Sequence, residues 1–181
     1  MERRRLYLPV FHIDTNLINS RQKLDDVNLL VHWYRNEIIL INMSSTARNE
    51  SLTGFDNVRT KKANEQIFTM TEPLDSADPL FSRIGEALFG NAERTENQNN
   101  DVRIVAEASK YGAYLVTNDG GSKAQPGGIL GNREKLRNYL RIYSPVEAVA
   151  LVRGHIAARD DHNRKVAELT GQALPEWTGK D

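Results

Sequence analysis

The chain has 181 residues, 39% hydrophobic and 27% charged, a size and mix that suit one domain with a real core, with room for an added helix or insertion. It contains no cysteine, which excludes disulfides, thiolate zinc sites and cysteine nucleophiles and fits a reducing compartment. Its 24 basic and 24 acidic residues cancel, so the bulk basicity that marks many nucleic-acid binders is absent, although an acidic centre with basic edges averages to the same zero.

The start, MERRRLYLPVFHID, is basic and then apolar, but Pro9, His12 and Asp14 break the run too early for a signal peptide. No stretch approaches the roughly 20 apolar residues that span a bilayer. A cytoplasmic protein that engages no membrane is expected. Residues 6–13, LYLPVFHI, read as the first strand. From Asp25, DDVNLLVHWYR places Val27, Leu30, Val31 and Tyr34 at helical spacing, with Asp25 or Asp26 as cap. EIILINMS, from Glu37, is the nearly continuous apolar run of a parallel strand covered on both faces. SSTARNESL then begins a helix, with Ser44 or Ser45 as its cap.

Residues 54–79 read as an insertion or a flap, with a basic cluster (Arg59, Lys61, Lys62) and a short β-prone run, QIFTM. LFSRIGEALF, from Leu80, returns to helical spacing, and the polar NAERTENQNN, from Asn91, reads as a loop or linker. In DVRIVAEASKYGAYLVTNDGG, Ile104, Val105, Ala108 and Tyr111 trace one side of a helix that begins at Asp101; Gly112 ends it and AYLVT is a strand. GGSKAQPGGILGN is a Gly/Pro loop, REKLRNYL a short helix and RIYSP a last edge strand. VEAVALVRGHIAARDDHNRKVAEL reads as one long helix, or two broken near Gly154; the tail beyond it stays loose unless Trp177 docks it.

The order βαβα…αβαβα predicts an α/β fold: three layers, α/β/α, around a mostly parallel central sheet, with an extra C-terminal helix. The expected division is a domain over residues 1–150 and a helical extension over 151–181. Ligands bind such sheets beyond the carboxyl ends of the strands. Asp14 follows the first strand and Asp119 follows AYLVT. Asp101, at the start of the helix that feeds AYLVT, returns to that edge. Glu50 lies within two turns of the end of the second strand, whereas Glu37 precedes that strand at the opposite edge. Each acid also has a plain reading as a helix cap, a turn residue or an exposed helix acid. Together they would repel one another unless a cation joined them, and Mg²⁺ or Mn²⁺, which prefer oxygen ligands, suit phosphoryl chemistry.

IDTN (13–16), the helical Glu50, and DVRIVAEA (101–108) leading through YGA to LVTND (115–119) resemble the PIN domain family, a nuclease fold found in bacterial toxins and RNA-processing enzymes. The resemblance spans roughly residues 6–150. It implies that Asp14, Glu50, Asp101 and Asp119 form an acidic quartet for Mg²⁺ or Mn²⁺, supported by Thr15, Asn16 and Thr117. It implies a metal-dependent ribonuclease, with RNA as the macromolecular partner. The basic residues Arg59, Lys61, Lys62 and Lys123 are expected along the RNA backbone. Two further readings stand beside this one: a toxin masked by an antitoxin or another protein partner, and a PIN-like scaffold that binds RNA or protein without cutting. A homodimer through the C-terminal helix is compatible with all three. The chain departs from the family in having GGSKAQPGG where many members place another acid, and in the length of residues 54–79.

Other candidates are weaker. GGSKAQPGG lacks the order of a nucleotide P-loop. Asn16 stands where phosphatases with a similar strand end need a second Asp. His12 reads as core, His155 and His162 as surface, and Arg133 and Arg137 as a solvated face that could flank a phosphate path.

Overall fold

Residues 1–20, 23–52, 68–121 and 126–181 are described by a computed structural model of the chain. Its centre is a short, fully buried strand, β1 (Phe11–Ile13), followed at once by helix α1 (Thr15–Ser20) and then α2 (Asp25–Arg35). Strand β2 (Ile41–Ser44) leads into α3 (Ser45–Leu52), and β3 (Thr69–Thr71) precedes α4 (Pro79–Phe89) and α5 (Glu96–Lys110). Then come β4 (Tyr114–Val116), the short helices α6 (Gly128–Gly131) and α7 (Arg133–Leu136), edge strand β5 (Arg141–Tyr143) and the long α8 (Pro145–Thr170).

The five strands are all parallel, in the order β3-β2-β1-β4-β5. Chain order reverses on either side of β1, so the switch point of the sheet lies at its carboxyl end, between β1 and β4. The register pairs Ile13 with Met43 on one side and with Val116 on the other. Asp14 therefore leaves the sheet level with Ser44 and Thr117. Helices α2 and α8 pack together as one outer layer, and α4, α5 and α7 form the other. The core between them is apolar along β1 and β4 but for the buried His12: Phe11, Ile13, Leu115 and Val116 are inaccessible to solvent or nearly so. No helix among the described residues is long and apolar enough to cross a membrane.

Three local readings change. Helix α5 begins at Glu96, five residues before Asp101, because Thr95 and Gln98 form a reciprocal capping box; half of the supposed linker is the polar first turn of an amphipathic helix. Asp25 and Asp26 sit inside the first turn of α2, where they favour the positive end of the helix, and Leu24 occupies the cap position without a side-chain bond. Helix α8 runs unbroken through Gly154, which faces solvent and costs only its intrinsic propensity. The first strand is also shorter than its apolar run, since only Phe11–Ile13 pair with neighbours.

The tail is docked. Buried Arg159 of α8 places its guanidinium over Trp177 at 4.3 Å and pairs with Asp160 at 2.8 Å and Asp181 at 2.9 Å. Arg4 reaches the same Asp181 carboxylate at 2.6 Å, so the two ends of the chain close over one buried cation.

Candidate metal centre

Asp14 is only 5% exposed, and three donors hold its carboxylate. The amide of Thr15 donates to Oδ1 at 2.6 Å; the Asn16 side-chain amide and the Thr117 hydroxyl donate to Oδ2 at 2.8 and 2.6 Å. Burial pushes its pKa up to about 6; the Thr117 hydroxyl and the Thr15 amide pull against that rise, and the charges of Glu50 and Asp119 add to it. Burial is the main cause of the rise, and the two neighbouring carboxylates add a smaller part of it.

Each neighbour is positioned by its own element. The Ser44 hydroxyl caps α3 by accepting from the Ala47 amide at 2.9 Å, which starts the helix that carries Glu50. Thr15 then ties the first two acids: its amide bonds Asp14 and its hydroxyl donates to Glu50 Oε2 at 2.7 Å. The Thr117 hydroxyl accepts from the Asp119 amide at 2.9 Å while donating to Asp14, which links the ends of β1 and β4. Asp119 turns both oxygens into the following loop: Oδ1 accepts from the Gly121 amide at 3.0 Å and Oδ2 from the Ile129 amide at 2.7 Å. Gly128, with φ +52, must be glycine there, because a Cβ would meet the Asp119 carboxylate and the Gly121 amide inside contact distance.

Asp101 stands on the wall of a cleft of about 910 Å³ that Thr15 and Glu50 also line, together with Asn100, Arg103, Pro73 and Leu74. The four acids thus fall into two sets, Asp14, Glu50 and Asp119 coupled through charge and Glu50 and Asp101 through the shared cleft, with Glu50 common to both. Among the described residues no three His, Cys, Asp or Glu side chains are grouped closely enough to hold one ion. The donors match a hard divalent cation in kind, all being carboxylate oxygens, with Asp14 buried and Glu50, Asp101 and Asp119 half-buried. In this arrangement Asp119 is committed to two backbone amides, and for that reason the set is open rather than closed around a point.

Arg59, Lys61, Lys62 and Lys123 fall outside the described residues. His12 is buried, neither ring nitrogen has a hydrogen-bond partner among the described residues, and burial lowers its pKa to about 4, so it is core. His155 and His162 are exposed. Arg133 is drawn to Glu147 at 2.8 Å.

Three participants were not singled out from the sequence. Asn100 donates to Glu50 Oε1 at 2.9 Å, and Arg103 donates to Asn100 Oδ1 at 2.9 Å. Glu107, fully buried beneath the cleft, accepts from Thr46 Oγ1 at 3.0 Å, and burial raises its pKa. Asn100, Arg103 and Glu107 recur at intervals of three and four, the signature of one polar helix face. That stripe is visible in the sequence only once the helix is started at Thr95 rather than at Asp101.

The sheet is parallel with β1 central; one acid follows β1, one follows β4, a third lies in the helix after β2 and a fourth in the helix before β4. The order of strands and helices is the α/β architecture, with a parallel central sheet, expected from the sequence. No family model matches the chain, and no curated protein matches it. Among solved structures, the chain is similar to the crystal structure of VapBC2 from Rickettsia felis bound to a DNA fragment from their promoter. The identity is 16%, the TM-score 0.48, and the match covers 75% of this chain and 98% of the other. It is similar also to the structure of FitAB bound to the IR36 DNA fragment, at 16% identity and a TM-score of 0.49, over 75% of this chain and 94% of the other.

Proposed function

We propose that the protein is a metal-dependent ribonuclease whose acidic site lies at the carboxyl ends of β1 and β4. The observation that carries this reading is Asp14: a carboxylate sunk at the switch point of a parallel sheet, held by three donors and charged against two neighbouring acids. Burying a charge there stabilises nothing by itself, and a divalent cation would relieve the repulsion. Asp14, Glu50, Asp101 and Asp119 would together supply the carboxylate oxygens for Mg²⁺ or Mn²⁺. A cation bound there supplies Lewis acidity toward a phosphate oxygen and toward water. Thr15, Asn16 and Thr117 keep the Asp14 carboxylate in place. Glu50, held at both oxygens by Thr15 and Asn100, would ligate the cation or orient a water for in-line attack on the phosphodiester. The basic residues Arg59, Lys61, Lys62 and Lys123 would bind the RNA backbone, and reversing their charges should weaken binding and flatten its salt dependence.

The test is a calorimetric titration of Mn²⁺ into the wild-type protein and into folded Asp14→Asn and Asp101→Asn variants, followed by cleavage assays on single-stranded and structured RNA. Saturable binding lost in both variants, with Mn²⁺-dependent cleavage, is the expected result. A folded wild type that binds no Mn²⁺ at millimolar metal would put the non-cutting scaffold first. Growth arrest on expression, relieved by Asp14→Asn, would place the same chemistry in a toxin masked by a protein partner.

A further inference from the structure

Glu50 is gripped from two sides. Its Oε2 accepts from the Thr15 hydroxyl at 2.7 Å and its Oε1 from the side-chain amide of Asn100 at 2.9 Å. An asparagine can turn either end of its carboxamide toward a neighbour, and its partners decide which. Here Arg103 decides. Its Nη1 donates to Asn100 Oδ1 at 2.9 Å, and a guanidinium has no acceptor to offer. The carbonyl end of Asn100 must therefore face Arg103, and the NH₂ end must face Glu50. Arg103 is itself seated against the ring of Phe81 in α4, 5.6 Å from its centroid, and lies one helical turn beyond Asn100 on the same face of α5.

An amide is well suited to this task. A lysine or arginine in direct contact with Glu50 would neutralise it and compete with a cation. An aspartate would add repulsion beside Asp101. Asn100 donates without charge, so its bond to Glu50 Oε1 sets the orientation of the carboxylate and adds no cation, and the guanidinium that orients the amide bonds to Asn100. We propose that Asn100 is a positioning residue for Glu50 and that Arg103 keys it, so that the relay from Arg103 through Asn100 to Glu50 sets the cation affinity of the acid site. This rests on the metal-dependent reading above.

Two readouts on the full-length chain test it. The first needs no metal: the side-chain NH₂ resonances of Asn100, identified by their loss in Asn100→Ala, are followed by NMR. They should shift in Glu50→Ala and in Arg103→Leu, and return toward their wild-type positions in Arg103→Lys, which keeps a donor. Resonances indifferent to Arg103→Leu would overturn the relay. The second is Mn²⁺ affinity by calorimetry. Asn100→Ala and Arg103→Leu should each weaken it by roughly tenfold to a hundredfold. The double variant should be no weaker than the poorer single one, since both break one chain of bonds. Wild-type affinity in Asn100→Ala, or fully additive losses, would also overturn the relay. A wild type that shows the amide signature but binds no Mn²⁺ would instead remove the cation reading, and with it the role assigned to the relay in cation affinity.

Discussion

The hydroxyl of Thr117 donates to the Asp14 carboxylate at 2.6 Å and at the same time accepts from the Asp119 amide at 2.9 Å, so one side chain joins the ends of two neighbouring strands to both of their acids. Thr117→Val keeps the shape and removes both bonds. Hydrogen bonds to a charged group contribute about 1.5–3 kcal/mol. The variant should therefore lose roughly 2 kcal/mol in urea unfolding at pH 7.5, with Mn²⁺ affinity falling alongside. Unchanged unfolding would show that the Thr117 hydroxyl contributes nothing net.

Asp14 should make the metal-free protein less stable as pH rises. Its folded pKa of about 6 lies above the ordinary 3.8. Between those values the folded state binds more protons than the unfolded one, so the contribution of Asp14 declines through that window and is fully unfavourable above it. The shift corresponds to about 3 kcal/mol. In chelator, Asp14→Asn should raise Tm at pH 7.5, and the gain should vanish below pH 4. A lower Tm at pH 7.5 would mean that the three donors outweigh burial.

His12 slopes the other way. Its pKa falls from 6.5 to about 4 on folding because the buried ring resists charging. The unfolded state binds more protons between those values, so stability is lost as pH falls through 6.5 toward 4. His12→Leu should abolish that part of the acid-side loss and be nearly silent at pH 8. A variant with the wild-type slope between pH 6.5 and 4 would contradict a neutral buried imidazole.

The Arg159 clasp should be worth more than an ordinary ion pair. Removing the cation leaves buried Asp160 without its ion-pair partner and Asp181 with Arg4 alone, and breaking a buried pair in this way costs about 3–5 kcal/mol. Arg159→Met should lower Tm by several degrees and expose Trp177 to a fluorescence quencher. Normal stability with a quenched Trp177 would assign the clasp to tail placement alone.

Several of these features could be read from residue order. The buried runs INMS and YLV, the long helical run from Val146 and the edge position of RIYSP are local patterns of apolarity and punctuation. Parallel pairing follows from their alternation with helices, and Asp14 and Asp119 at one edge follow from parallel pairing. The start of α5 was hidden because TENQNN is polar throughout. Its helical signal is the reciprocal Thr95–Gln98 bond, which residue type alone does not separate from a loop.

The sequence by itself thus determined the α/β class, the element order and the edge at which the acids gather, because those depend on periodicity and on the geometry of parallel strands. Only the tertiary structure decided the rest. It set the register that puts Thr117 beside Asp14, the two amides that engage Asp119, the Arg103–Asn100–Glu50 relay and the closure of both chain ends on Arg159. Each of these depends on side chains from segments far apart in the chain meeting within about 3 Å, and no local pattern specifies such a distance.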